Sequence, residues 1–123
     1  MPISHQQYID MLSRVNRNKL RDGPVPADAE PVERDLHDKI LAECKARGWI
    51  AIHARMDRPT TTAVGTPDFV ILADGGRLFL VECKSKTGKL TTAQLGFIAW
   101  SEKLGFPVQT IRSMSEFKAL INA

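Results

Sequence analysis

Long apolar runs are missing from this 123-residue chain. None approaches the ~20 residues that cross a bilayer, so no transmembrane helix and no membrane partner are expected. The N-terminal stretch MPISHQQYID has no apolar segment behind a basic start, which argues against a secretory signal. Cysteine is scarce, with Cys44 and Cys83 the only two. That is too few for a disulfide scaffold, and reduced thiols in a cytoplasmic protein are expected. No glycine-rich phosphate loop occurs, so no nucleotide cofactor is expected. His5, His37 and His53 have no ligand spacing with one another or with the cysteines, so a zinc site is not expected. His37, one turn after Glu33, could sit beside any site that Glu33 serves, with a surface position the favoured reading. Aromatics are few, and Phe97 and Trp100 at helical spacing read as core rather than as a stacking platform.

What is present suits one ordinary globular domain, with 43% hydrophobic and 25% charged residues. The net charge of +3 is mild but unevenly spread. Residues 84–112 hold Lys84, Lys86, Lys89, Lys103 and Arg112 against Glu102 alone, a local +4. Such a segment is compatible with a polyanion, and equally with a solvated surface. Residues 1–30 read as an N-terminal appendage, a short amphipathic helix over 4–21 followed by the proline-rich RDGPVPADAEP. Residues 31–123 read as the domain proper. Its first helix takes Pro31 at its first position, repeats Val32, Leu36, Ile40, Leu41 and Cys44 on one face, and closes at Gly48. WIAIHA is a strand, and 55–67 is an irregular loop. DFVILA and RLFLVECK form a hairpin around Asp74-Gly75-Gly76. Both runs are apolar on both faces, which predicts central strands. A helix over about 92–104, the strand PVQTI, and a last helix capped at Ser113 complete the order α-β-β-β-α-β-α. The fold class is α/β, a mixed central sheet flanked by helices.

The hairpin brings the chemistry together. A three-residue turn setting Ala73 opposite Arg77 also sets Asp68 opposite Glu82, with Cβ atoms ~5 Å apart. Lys84, two residues beyond Glu82, projects from the same face. Like charges directly opposed destabilise a sheet unless something compensates. A divalent cation would do so, and an all-oxygen donor set favours Mg²⁺ or Mn²⁺ over zinc. A structural triad in which Lys84 pairs with both carboxylates is the competing reading.

Pro67-Asp68, thirteen residues, then Glu82-Cys83-Lys84 resembles the PD-(D/E)XK nuclease signature. The stretch GTPDFVILADGGRLFLVECKSKTGKLTTAQLGFIAWSEKLGF is similar to the core of the virus-type replication-repair nuclease (VRR-NUC) branch, over about residues 31–113. The resemblance implies a restriction-endonuclease-like core. It also implies that Asp68 and Glu82 bind the metal, Mg²⁺ or Mn²⁺, together with the backbone carbonyl of Cys83. Lys84 would orient the attacking water or stabilise charge on the phosphate, and Glu33 would support the metal's water shell. Gln94 would hold Lys84 or the DNA backbone. Each of the last two has a structural competitor. Glu33 sits in a first helical turn, where a carboxylate is favoured anyway. Thr91-x-x-Gln94 is itself a capping box.

The expectation is therefore a metal-dependent DNA endonuclease, with Lys86, Lys89, Arg55 and Arg58 as candidates for backbone phosphates. The resemblance further implies a homodimer acting on branched DNA such as four-way junctions, in the cytoplasm of a bacterium or of a virus-infected host. A monomeric flap or single-strand nuclease and a non-catalytic DNA-binding module are the alternatives.

Overall fold

The computed structural model describes residues 25–53 and 65–123. Helix α1 (Glu33–Arg47) turns Leu36, Ile40 and Cys44 inward, and all three are buried. It starts at Glu33 with Val32 as N-cap, so Pro31 lies just ahead of the helix and not in its first turn. Gly48 ends it with φ 73°, its amide donating to the Cys44 and Lys45 carbonyls, a left-handed conformation that favours glycine. Strands β1 (Ile50–His53), β2 (Phe69–Leu72) and β3 (Leu78–Cys83) follow, then helix α2 (Thr92–Lys103), strand β4 (Val108–Ile111) and helix α3 (Met114–Ile121). The element order is the expected one.

The sheet runs β1-β2-β3-β4, antiparallel across the first two pairings and parallel between β3 and β4. The β2–β3 turn is a single 3-10 turn at Asp74–Gly76, in which Gly75 and Gly76 take φ of 70° and 72°. The Ala73 amide donates to the Arg77 carbonyl at 2.9 Å, and Phe69 pairs with Val81 and Leu72 with Leu78. Continued one step, that register sets Asp68 opposite Glu82, as the turn length predicts.

Because strand side chains alternate, the two sheet faces have different fates. Phe69, Ile71, Val81, Cys83 and Ile111 face one side, where they pack with α1 and with Phe117 and Ile121 of α3. The other side carries Glu82 and is covered only in part. There α2 packs against β4, while Ile50, Ile52, Leu72 and Leu78 are 59, 54, 40 and 48% exposed. The hairpin strands are central in the sheet, but at the turn end their second face is open. Helix α2 buries Ile98, Gly96 and Ser101, so Phe97 and Trp100 are half-buried and not core.

The described part of the proline-rich stretch is docked onto the domain. The Glu30 amide donates to the Arg112 carbonyl at 2.9 Å and the Glu30 carbonyl accepts from the Lys86 amide at 2.8 Å. Asp28 accepts from the Ser115 amide and hydroxyl at the start of α3. Glu30 also pairs with Lys39 of α1. Among the described residues no helix is long and apolar enough to cross a membrane.

Candidate active site

Four elements converge where β2 begins and β3 ends. Asp68 immediately precedes β2, Glu82 lies near the end of β3, and Glu33 opens α1. Oxygens of these three carboxylates lie within 4.8 Å of one another. Glu82 is 1% exposed. Lys84, 7% exposed, places its Nζ 3.8 Å from Glu82 Oε1. Three carboxylates and one lysine thus meet at one end of the hairpin, with Glu82 and Lys84 buried and the Glu33 side chain partly open to solvent.

The backbone anchors this cluster. The Cys83 amide donates to Asp68 Oδ2 at 2.8 Å, clamping the two hairpin strands beyond their last ladder pair. The Cys83 side chain points into the core and is fully buried, and burial raises its thiol well above the usual range. Only its backbone faces the carboxylates. Gly65 has φ 85°, and a Cβ on it would lie 2.2 Å from the Ala93 carbonyl oxygen. The loop carrying Asp68 thus rests directly on the first turn of α2, which only glycine permits.

Gln94 joins that turn to the carboxylates. Its Oε1 accepts from the Thr91 amide at 2.8 Å, and its own amide donates to Thr91 Oγ1 at 3.2 Å, a complete capping box. Its Nε2 donates to Glu82 Oε1 at 2.7 Å. The helix-cap reading and the site reading of Gln94 are both realised by one side chain. Its partner is Glu82, where the family resemblance suggested Lys84 or DNA.

Lys84 is followed by a loop that Arg112 holds shut. The Arg112 guanidinium, in a residue 6% exposed, donates to the carbonyls of Ser85 and Gly88. Lys86 and Lys89 on this loop are exposed. Arg55 and Arg58 lie outside the described residues.

Charge state follows from these contacts. Burial, then the negative charge of Asp68, push Glu82 up to about 8 from the usual 4.5. Burial works the same way on Asp68, but His37 and the Cys83 amide outweigh it and hold Asp68 below the ordinary carboxylate value. Without a cation the pair therefore keeps one proton, on Glu82, near neutral pH. An opposed pair that must protonate to stay buried fits a divalent cation, and the donors are all oxygen, which suits Mg²⁺ or Mn²⁺.

His37 and His53 are the residues that sequence reasoning missed. His37 is not a surface residue: its Nε2 lies 3.5 Å from both Glu33 Oε1 and Asp68 Oδ2. The Asp68 carboxylate raises its proton affinity against the effect of burial. His53 sits edge-on to it, with ring centroids 4.9 Å apart, and stacks on Phe69 at 4.5 Å. Helix packing and strand pairing, not local sequence, make these two histidines neighbours. Only His37, one turn from Glu33, carried a usable signal.

The family model for the VRR-NUC domain matches residues 5–115, beginning ahead of the stretch that carries the motifs. Among solved structures, a VRR_NUC domain superimposes with a TM-score of 0.60 at 21% identity, covering 73% of this chain and 94% of that one. At that identity the likeness speaks to the fold. Among curated proteins no relative matches. A family match spanning most of the chain, on a mixed sheet whose hairpin opposes Asp68 and Glu82 beside Lys84, places this protein in the VRR-NUC domain family, a nuclease-type domain.

Proposed function

We propose that this chain is a metal-dependent, structure-selective DNA endonuclease that hydrolyses phosphodiester bonds and resolves four-way junctions as a homodimer. The observation that carries the chemistry is the buried opposition of Asp68 and Glu82, with Gln94 and Lys84 both directed at Glu82. A structural triad needs no third carboxylate, yet Glu33 joins the cluster from α1.

Asp68 and Glu82, with the Cys83 carbonyl, would hold Mg²⁺ or Mn²⁺, and Glu33 would hold its waters. When bound, the cation supplies Lewis acidity at the phosphoryl oxygen and makes water a better nucleophile. The chain's own residues do the rest. Gln94 fixes the Glu82 carboxylate, so that group does not rotate as charge develops. Lys84, kept near the carboxylates by the loop that Arg112 closes, balances negative charge on the phosphate in the transition state. Exposed Lys86 and Lys89 follow the DNA backbone, so binding weakens steeply with salt. Among the described residues no element offers base-reading side chains in a groove-sized array, which favours recognition of DNA shape.

Two symmetric nicks in a junction require two sites, and one chain supplies one. The exposed row of Ile50, Ile52, Leu72 and Leu78 supports a second copy, because an apolar strip on a two-fold axis is complementary to itself. The test is incubation of the protein with a labelled four-way junction, a flap and linear duplex, in Mg²⁺, Mn²⁺ or EDTA, with Asp68→Ala alongside. Paired symmetric nicks lost in EDTA and in the variant are expected, with a dimer on a sizing column. Cutting of the flap alone by a monomer keeps the metal chemistry and removes the junction reading. Binding without cutting leaves a DNA-binding module.

A further inference from the structure

His37 and His53 have no part in the hydrolytic scheme above, yet the fold sets them ring against ring beside Asp68. His37 Nε2 is buried and makes no hydrogen bond. A buried nitrogen held only by two long carboxylate contacts leaves room for an ion between the three groups. Its two nearest oxygens, Asp68 Oδ2 and Glu33 Oε1, both stand at 3.5 Å, beyond the roughly 2.7–3.2 Å of an N–H to O hydrogen bond. Two ligands on one tetrahedral cation with bonds of about 2.1 Å sit roughly 3.4 Å apart. At 3.5 Å these are ion-pair contacts, long for hydrogen bonds, and the His37–Asp68 spacing also suits shared coordination.

His53 completes the set. One ligand atom each from His37, His53 and Asp68 lies within 4.8 Å of the other two. His53 is exposed at the end of β1 with its ring resting on Phe69, so it stands at the open edge of that triangle. We propose that His37, His53 and Asp68 form a second metal position, selective for a divalent transition ion such as Zn²⁺ over Mg²⁺, that shares Asp68 with the oxygen-only cluster of Glu33, Asp68 and Glu82. Selectivity follows from donor chemistry. Imidazole suits zinc and its neighbours, whereas Mg²⁺ demands oxygen and keeps its waters. Two adjoining positions of unlike chemistry would then meet at one carboxylate. The inference stands on this geometry whether or not the chain cleaves DNA.

The test uses the full chain, stripped with a chelator and held in saturating Mg²⁺ to occupy the oxygen cluster. Zn²⁺ is then titrated and its binding followed by calorimetry, with circular dichroism to confirm folding. One Zn²⁺ per chain is expected. His37→Ala and His53→Ala should each weaken it by more than the about 10- to 100-fold that changes around an intact ligand set cost. Glu82→Gln, which alters only the oxygen cluster, and His5→Ala, at the third histidine, should leave it in place. His53→Ala changes an exposed side chain, so it decides the matter even if His37→Ala fails to fold. Absence of Zn²⁺ binding in excess Mg²⁺, or binding unchanged in His53→Ala, would overturn the proposal.

Discussion

The two ends of the β2–β3 hairpin share one hydrogen-bond ladder and carry opposite electrostatics. At the turn end, Arg77 bonds Asp74 at 2.6 Å and the Ile121 carbonyl at 2.7 Å, and its guanidinium lies over the Trp49 and Phe79 rings. Opposite charges meet, in solvent, on a turn whose glycines fit it. At the other end the same register opposes two carboxylates, one of them fully buried. The turn end is arranged as a sheet needs to be. The Asp68–Glu82 end works against the sheet, the kind of costly arrangement expected at functional or strained sites and the ground for the proposed metal site.

The largest effect should come from removing the opposition. Asp68→Ala or Glu82→Gln is expected to lower metal-dependent cleavage by about 10³-fold or more, the scale on which groups acting on developing charge contribute. Single-turnover cleavage at saturating DNA measures it. Retention of cleavage within a few fold in both variants would return the cluster to a structural role.

Gln94→Glu separates the two tasks of that side chain. Glutamate at this position still completes the capping box with Thr91, so α2 should keep its helicity. It replaces the amide that donates to Glu82 with a second acceptor, and cleavage should fall about 10- to 100-fold, as when a ligand loses its orienting partner. Helicity read by circular dichroism and cleavage read on the same preparation should therefore part company. If both fall together, Gln94 acts through the helix alone.

The charge imbalance also predicts a pH dependence of stability in the absence of metal. The Glu82 value is raised on folding, so its contribution is full below about 4.5 and is lost as pH rises through about 8. Asp68 is shifted the other way, and its contribution is lost only in acid. Between these limits Glu82 sets the trend, and the metal-free chain should become less stable from pH 5 to pH 8. Mg²⁺ or Mn²⁺ should restore stability at pH 8, and Glu82→Gln should flatten the metal-free profile. Denaturant midpoints across that range are the measurement. A metal-free profile that rises to pH 8 would show that the carboxylates are not desolvated as described.

Much of this contrast is legible in the sequence. Asp74-Gly75-Gly76 sets the turn, the turn sets the register, and the register opposes Asp68 and Glu82. Gly48, Thr91 and Gln94 mark helix ends by local chemistry that survives in the fold. What escapes is whatever depends on packing between distant segments. His37 and His53 meet only because α1 lies across β1 and β2. The Asp28–Glu30 strap reads as linker because Glu30 binds Arg112 and Lys86 through backbone atoms, and the side-chain bonds of Asp28 to Ser115 and of Glu30 to Lys39 depend on packing between separate segments. Leu72 and Leu78 read as covered because a doubly apolar strand is usually covered, whereas here α2 lies on the β4 side.

The smallest effect should come from the turn end, and its smallness is informative. Asp74→Ala removes the surface partner of Arg77, but Arg77 keeps the Ile121 carbonyl and both aromatic faces. Asp74 itself is solvent-exposed, where an ion pair contributes little. Cleavage should be unchanged, and thermal unfolding should shift by about 3 °C or less. The turn lies at the far end of β2 and β3 from the carboxylates, so its charge has no route to them except through the ladder. If Asp74→Ala cost as much activity as Gln94→Glu, the ladder would be transmitting strain from one end to the other. The hairpin would then be a coupled lever, and the independence of its two ends would have to be given up.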